Sequence, residues 1–246
     1  MTRTLSIFAL LGLTLSLAVG CPATVDDTDQ PEGDTDTDTD TDTDTDTDTD
    51  ADTDTDTDTD VGTTCADVQN YNGVSEDDIV TLAKVCVTSP VANNGMGFFV
   101  QDAGGGEWSG MFIYLGDVKS TVSTGDEVTV TGAITEYYEL TEVSVIDGSD
   151  IEVVGSCSPA ATTIQAAPAD WESYESVLVT ALDVNVTSDG DEYGQFTTDF
   201  GGMVIDDMFY TFGGGSGDVL TTITGPINYN YDEWKIEPRD AADVAM

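Results

Sequence analysis

Gly125-Asp-Glu-Val-Thr-Val-Thr-Gly-Ala-Ile-Thr-Glu-Tyr137 alternates apolar and polar side chains over much of its length. Alternation with a period of two predicts a half-buried β-strand. Gly132 interrupts the strand near its middle, and a glycine there lets a strand bend sharply. A long, bent strand of this kind is typical of a small, strongly coiled β-barrel.

Similar strand-like runs lie on both sides of this stretch, and no run of ten or more residues has a helical apolar stripe. The pattern predicts two successive sets of strands in the same order. The first set covers residues 79–88, 97–101, 110–115, 126–137, 140–146 and 151–154, and the second covers 176–187, 194–198, 202–212, 218–228 and 233–237. We therefore expect an all-β fold.

Four segments recur in the same order along the chain. Residues 80–89 match 179–188, 97–102 match 194–199, 110–113 match 202–205, and 130–134 match 223–227. The second match aligns Phe99 with Phe196, and we expect both side chains in the core. The recurrence predicts two tandem β domains, 62–157 and 173–246, joined by a linker at 158–172 that contains Pro159 and Pro168.

The residues of the first copy carry a family resemblance. Gly-Phe-Phe-Val-Gln-Asp at 97–102, Ser-Gly-Met-Phe-Ile-Tyr at 109–114 and the stretch 125–142 resemble the bacterial OB-fold domains of secreted and cell-surface proteins, some of which accompany extracellular nucleases. The second copy matches more weakly. The resemblance implies two small OB-like β-barrels. Neither copy has the usual OB-fold helix between strands three and four, so an immunoglobulin-like or other β-sandwich is the alternative.

The chain is strongly acidic. Its 246 residues include 49 Asp and Glu, 5 Lys and Arg and no His, for a formal net charge of −44. Such a charge repels nucleic acid and anionic lipid. The absence of His removes the commonest general base and every Ser-His or Cys-His nucleophile pair. We therefore expect a non-enzymatic protein without a nucleic-acid partner.

The amino terminus has the pattern of an export signal. Arg3 precedes an apolar run of about 15 residues, shorter than the roughly 20 that a membrane-spanning helix needs. Leu17-Ala-Val-Gly-Cys21 resembles the lipobox of bacterial lipoproteins. The resemblance implies a signal peptide at 1–20 and acyl chains on Cys21. In some Gram-negative lipoproteins an Asp after the lipidated Cys signals retention in the inner membrane, and here Pro22 follows Cys21. The resemblance therefore implies an exported protein, lipid-anchored to the outer membrane or cell surface.

Residues 21–61 predict a disordered acidic tether. From Asp34 to Asp60 the chain is a Thr-Asp repeat broken once, at Ala51. Nothing in the repeat is large and apolar, so it cannot bury a core. It lacks the turn glycine and terminal Glu of an EF-hand loop, which favours diffuse counterions over a specific calcium site. Glycosylation of its threonines stays open.

Exposed aromatic side chains are the candidate ligand surface, because stacking on a neutral sugar needs no cations. The candidates are Phe98, Trp108, Tyr114, Tyr138, Tyr231 and Trp234. They favour a binding or scaffold module for a polysaccharide or protein partner. A calcium-dependent surface hydrolase and a purely structural envelope protein are the competing functions.

A weak metal candidate lies in the second copy. Asp189, Asp191 and Glu192 place three carboxylates within four residues, as in a fragment of a calcium loop. A solvated Asp- and Gly-rich turn is the alternative. No other cofactor is expected.

Export favours a disulfide bond among the remaining cysteines. Cys65 with Cys157 would tie the two ends of the first copy, and this is the predicted pair. Cys86, within the first strand, is the alternative partner.

Overall fold

The computed structural model describes residues 62–246, which fall within one compact unit. The predicted signal peptide 1–20, the predicted lipid on Cys21 and the predicted tether to residue 61 lie outside these residues. No helix between residues 62 and 246 is long and apolar enough to span a bilayer. The short helix α1 (Cys65–Gln69) begins with a capping box formed by Thr64 and Asp67.

The first sheet has six strands in the order β1-β2-β3-β5-β4-β6, and β1 also pairs with β4. Its parallel pair is β3 with β5. The strands are β1 (Ile79–Val87), β2 (Gly97–Gln101), β3 (Gly110–Tyr114), β4 (Asp126–Tyr137), β5 (Leu140–Ser144) and β6 (Ile151–Ser156).

The second sheet repeats most of the pairings of the first, with β8, β9, β10, β11 and β12 in the places of β1, β2, β3, β4 and β5. Its path is β7-β8-β11-β12-β10-β9, with β13 on β11, and β10 runs parallel to β12. An isolated bridge between Val186 and Thr198 joins the end of β8 to the end of β9. The strands are β7 (Thr162–Ile164), β8 (Leu178–Asn185), β9 (Phe196–Thr197), β10 (Val204–Ile205), β11 (Val219–Asn230), β12 (Glu233–Ile236) and β13 (Val244–Ala245).

The predicted all-β architecture is confirmed, and each predicted strand overlaps an observed one. Helix α1 and strands β7 and β13 were not predicted. β7 lies in the segment 158–172 that the sequence predicts as a linker, where it pairs in parallel with β8. These elements are two to five residues long, too short to show a period.

We call the part of the chain around the first sheet the first half and the part around the second sheet the second half. The long strand of each half, β4 or β11, contains a glycine near its middle. A Cβ at Gly132 would lie 2.6 Å from the carbonyl oxygen of Ser144, and a Cβ at Gly225 would collide with the carbonyl of Glu237. Each glycine therefore lets another strand approach closely. Strands β1 and β8 also share an irregularity, since Lys84 and Asp183 both have positive φ at matching positions.

The pairing of β2 corrects the sequence alignment by one residue. Phe98 pairs with Ile113, and Phe196 pairs with Ile205. Because Ile113 and Ile205 are equivalent in the repeat, the counterpart of Phe196 is Phe98 and not Phe99. A shift of one residue exchanges the two faces of a strand. Phe98 is fully buried in the first core, so its prediction as a ligand-surface residue is wrong.

The predicted pairing of Cys65 with Cys157 is wrong. Cys86 is bonded to Cys157, with the two Cα atoms 5.8 Å apart, and Cys65 is a free, buried thiol in α1. The alternative partner named from the sequence is thus the observed one. Strands β1 and β6 both pair with the start of β4, which brings Cys86 and Cys157 together.

We expect Cys86→Ala and Cys157→Ala each to lower the free energy of unfolding by about 2–5 kcal/mol, because the bond closes a long loop. Cys65→Ser is the matched control and leaves the disulfide intact. Urea unfolding with and without reductant measures the effect. A loss of reductant sensitivity in Cys65→Ser would contradict this pairing.

Candidate functional site

The two halves meet along an apolar contact that we call the seam. Phe99, Phe112 and Leu140 of the first half are buried there in one cluster. Met208, Phe209 and Tyr229 of the second half pack against that cluster. The ring of Phe99 lies 5.0 Å from that of Phe112 and 6.2 Å from that of Phe209, measured between centroids. The outer face of β2, β3 and β5 is therefore covered by the second half.

Polar contacts fix the position of one half against the other. Gln101 of the first half is buried and contacts two later segments of the chain. It accepts from the backbone N–H of Leu178 at 3.2 Å and donates to the carbonyl of Ala160 at 2.8 Å. A Cβ at Gly110 would collide with the backbone of Ser176, so glycine is needed where these two segments of the chain cross. These contacts leave little freedom for the halves to rotate.

Glu175 is the buried carboxyl at the centre of these contacts. Its Oε1 accepts from the backbone N–H of Thr141 at 3.0 Å and from Nε2 of Gln69 at 3.3 Å. Burial raises the pKa of Glu175 to about 8, so the carboxyl is mostly protonated at neutral pH. Its Oε2 and the Oε1 of Gln69 have no partner, and protonation turns one of these two buried acceptors into a donor.

Two further buried carboxyls behave alike. Burial raises the pKa of Glu142, on the same face of β5 as Leu140, to about 7. Burial raises the pKa of Glu237 to about 8, and the nearby carboxylate of Asp206 adds to the effect. Asn228 and the backbone N–H of Met208 both donate to Glu237.

Lys235 lies beside Glu237 in the second half and is also buried. Its Nζ is 3.1 Å from Oδ2 of Asp206. This lysine is thus already paired inside the protein.

The matched turns between β4 and β5 and between β11 and β12 carry the exposed aromatics. Tyr138 and Glu139 form the first turn, with φ of 49° and 67°, and Tyr231 and Asp232 form the second, with φ of 54° and 62°. Positive φ at both central residues is the pattern of a type I′ turn, which normally favours Asn-Gly. Both tyrosines are highly exposed, at 80% and 85%.

We define the hairpin surface as these two turns and the aromatic side chains beside them. The rings of Tyr137 and Tyr138 meet edge to face at 4.8 Å, and those of Tyr229 and Trp234 lie 4.6 Å apart. The hydroxyl of Tyr229 donates to Oε2 of Glu139 at 3.1 Å. This bond ties the first turn to the strand that leads into the second. The members are Tyr137, Tyr138, Glu139, Tyr229, Tyr231, Asp232 and Trp234, together with Glu136, which precedes Tyr137 at the end of β4.

The first half adds a strongly negative field to this surface. The hydroxyl of Tyr71 donates to Glu136 at 3.0 Å, and burial together with this carboxylate raises the pKa of Tyr71 to about 12. Glu172 also has a raised pKa, caused first by burial and then by Asp170, Glu136 and Glu139. Glu172 is thus close enough to these three carboxylates to be repelled by them.

The other sequence candidates lie elsewhere. Trp108 is half-buried, and its backbone N–H donates to the carbonyl of Ser173 at 2.6 Å. Tyr114 lies at the far end of β3. The structure therefore brings Tyr138 and Trp234 into one surface with Tyr231, and excludes Phe98 and Tyr114.

Asp189, Asp191 and Glu192 do not form the metal site that the sequence suggests. Asp189 accepts from the N–H of Ser216, and Asp191 accepts from the N–H of Tyr193 and of Gln195. Their carboxylates hold the loop. Across residues 62–246, no group of three or more His, Cys, Asp or Glu side chains is arranged to hold a metal ion.

Sequence reasoning missed Glu139 and Asp232. The signal was available, because an aromatic–acidic pair stands at the same place between strands four and five of each copy. Tyr71 had no comparable signal, since its place beside Glu136 depends on the tertiary fold.

No protein-family model matches this chain, and no curated protein matches its sequence. The geometry and chemistry of the chain itself therefore carry the functional argument.

We expect the free energy of unfolding to fall as pH rises from about 4.5 to about 8. The buried carboxyls have folded-state pKa values of about 7 to 8 against an ordinary value of 4.5. Their contribution to the free energy of unfolding is therefore fully present below pH 4.5 and is lost as the pH rises through the folded-state pKa values. Urea unfolding at pH 5, 6.5 and 8 measures this decline.

Glu175→Gln should flatten part of that pH dependence, since an amide does not ionise. Glu152→Gln, at an exposed position on β6, is the matched control and should keep the full slope. Equal slopes in the two variants would show that Glu175 does not carry the effect.

We also expect Tyr138→Asn and Tyr231→Asn each to raise the free energy of unfolding by about 1 kcal/mol. A left-handed conformation costs an ordinary residue about 1–2 kcal/mol, and Asn tolerates it better. Tyr114→Asn, within a strand, should give no gain. Thermal or urea unfolding measures all three, and a loss of stability in both turn variants would refute the strain argument.

Proposed function

We propose that this chain is a non-enzymatic binding module of the cell surface, in which two OB-like halves act as one body and the hairpin surface receives a polysaccharide or protein ligand. The observation that carries the proposal is the seam. Because the second half covers the outer face of β2, β3 and β5, the exposed aromatics concentrate at the two turns.

The strand pairings support an OB-like fold for each half. In the first half β1 pairs with both β2 and β4, so the path β1-β2-β3-β5-β4 returns to its start. In the second half the bridge from Val186 to Thr198 completes the equivalent path. A five-stranded, partly open barrel of this kind is the OB architecture.

OB folds bind ligands across strands two and three and through the loops between strands one and two and strands four and five. In the first half the strand face is occupied by the seam. The loop between strands four and five is still exposed, and in both halves it presents a tyrosine, Tyr138 or Tyr231. Ligand binding is therefore assigned to the turns.

The amino-terminal sequence supports display at the surface. Cys21 ends a lipobox-like segment, and the 40 residues from Pro22 to Val61 reach on the order of 130 Å when fully extended. Several acyl chains would anchor the protein firmly. This arrangement would hold a binding module clear of the membrane.

Thermal unfolding of the full chain tests the proposal. The ligands are neutral and acidic oligosaccharides, calcium and single-stranded DNA at fixed salt, because a ligand of the folded state raises Tm. We expect a ligand of the hairpin surface, either an oligosaccharide or one of the peptides tested below, to raise Tm, and the Tyr138→Ala/Tyr231→Ala variant to lose at least half of that rise.

Tyr114→Ala, an exposed tyrosine at the far end of β3, is the matched control and should respond like the unaltered chain. A rise in Tm that survives in the double variant would place the ligand elsewhere. A rise with DNA would overturn the charge argument. If neither the ligands used here nor the peptides tested below change Tm, a purely structural envelope protein is favoured.

A further inference from the structure

The hairpin surface combines aromatic rings with carboxylates that form no ion pair within residues 62–246. Glu136 and Glu139 accept hydrogen bonds only from hydroxyl groups among the described residues: Tyr71 and Thr141 donate to Glu136, and Tyr229 donates to Glu139. Hydroxyl donors leave the negative charges in place. A positively charged ligand could form ion pairs with these carboxylates.

The four cations of residues 62–246 do not supply that charge. Lys235 is paired with Asp206 and Arg239 with Asp243. Lys84 lies on β1 and Lys119 lies beyond the far end of β3. The carboxylates of the hairpin surface are thus unneutralised by this part of the chain.

One ring of this surface already lies near a cation, the ammonium group of the buried Lys235. The ammonium group of Lys235 lies 5.7 Å from the centre of the Tyr231 ring. This distance is within the range of a cation–π interaction. It uses one face of Tyr231, and that ring is 85% exposed. The ring of Tyr138 is nearly as exposed and has no cation over it among the described contacts.

We propose that the hairpin surface binds a basic polypeptide segment, with Arg or Lys side chains stacked on the rings of Tyr138 and Tyr231 and paired with the carboxylates of Glu136 and Glu139. This inference rests on the proposed function and names its ligand class. Guanidinium groups suit the surface best, because they stack on aromatic rings and pair with carboxylates in the same plane.

The charge of the whole protein favours the same partner. A formal charge of −44 repels acidic ligands and speeds the encounter with basic ones. A bare metal ion fits less well, since no cluster of metal ligands exists among residues 62–246. A neutral sugar would use the rings but leave the carboxylates unpaired.

Thermal unfolding of the full chain separates this site from the acidic tether. A peptide that binds the Thr-Asp repeat equally in the folded and unfolded states does not change Tm, whereas one that binds only the folded surface raises it. The probes are deca-arginine, deca-glutamate and neutral oligosaccharides at fixed salt. We expect deca-arginine at saturation to raise Tm by about 5 °C, and deca-glutamate to have no effect.

The variants locate the site. Tyr138→Ala/Tyr231→Ala should abolish most of the rise, Glu139→Gln should reduce it, and Tyr114→Ala should leave it unchanged. Both altered tyrosines are exposed, so the double variant should fold, and its Tm without peptide verifies this.

The outcomes separate the two proposals. A rise with oligosaccharides but not with deca-arginine refutes the basic-peptide inference and leaves the binding module standing. A rise with deca-arginine that is unchanged in the double variant refutes the assignment to the hairpin surface. If neither the peptides nor the sugars change Tm, the inference and the proposed function are refuted together.

Discussion

The outer face of β2, β3 and β5 is apolar where the first half on its own would meet water. Phe99, Phe112 and Leu140 all lie on that face and are all buried. Burial of a large apolar side chain contributes about 1.5–3 kcal/mol, so exposing three of them would cost the first half much of its stability. The second half is therefore part of the folding unit of the first.

This dependence explains why buried acids are tolerated at the seam. Closing the apolar face also takes Glu142 and Glu175 out of water, and an isolated carboxylate is very costly in such a place. The group becomes neutral instead, which is why their pKa values rise to about 7 and about 8. These two buried acids thereby place less negative charge in the interior than two ionised carboxylates would.

The sequence predicted the strands well because alternation reports local burial directly. It could not predict which face of β2 points inward, since Gly97-Phe-Phe-Val has two adjacent phenylalanines and a shift of one residue exchanges them. The prediction of the disulfide pair was wrong for a related reason. The sequence alone does not distinguish Cys65 from Cys86 as the partner of Cys157. The pairing of β1 and β6 with β4 selects Cys86.

Two tyrosines in left-handed turns are not explained by stability. A strained residue usually persists because its side chain packs well, yet Tyr138 and Tyr231 expose most of their surface. Asn and Gly are the ordinary solution at these positions. The same departure occurs at matched places in both halves, and each tyrosine is followed by an acid. The feature kept at both turns is an exposed ring beside a carboxylate, which is a reason to assign binding there.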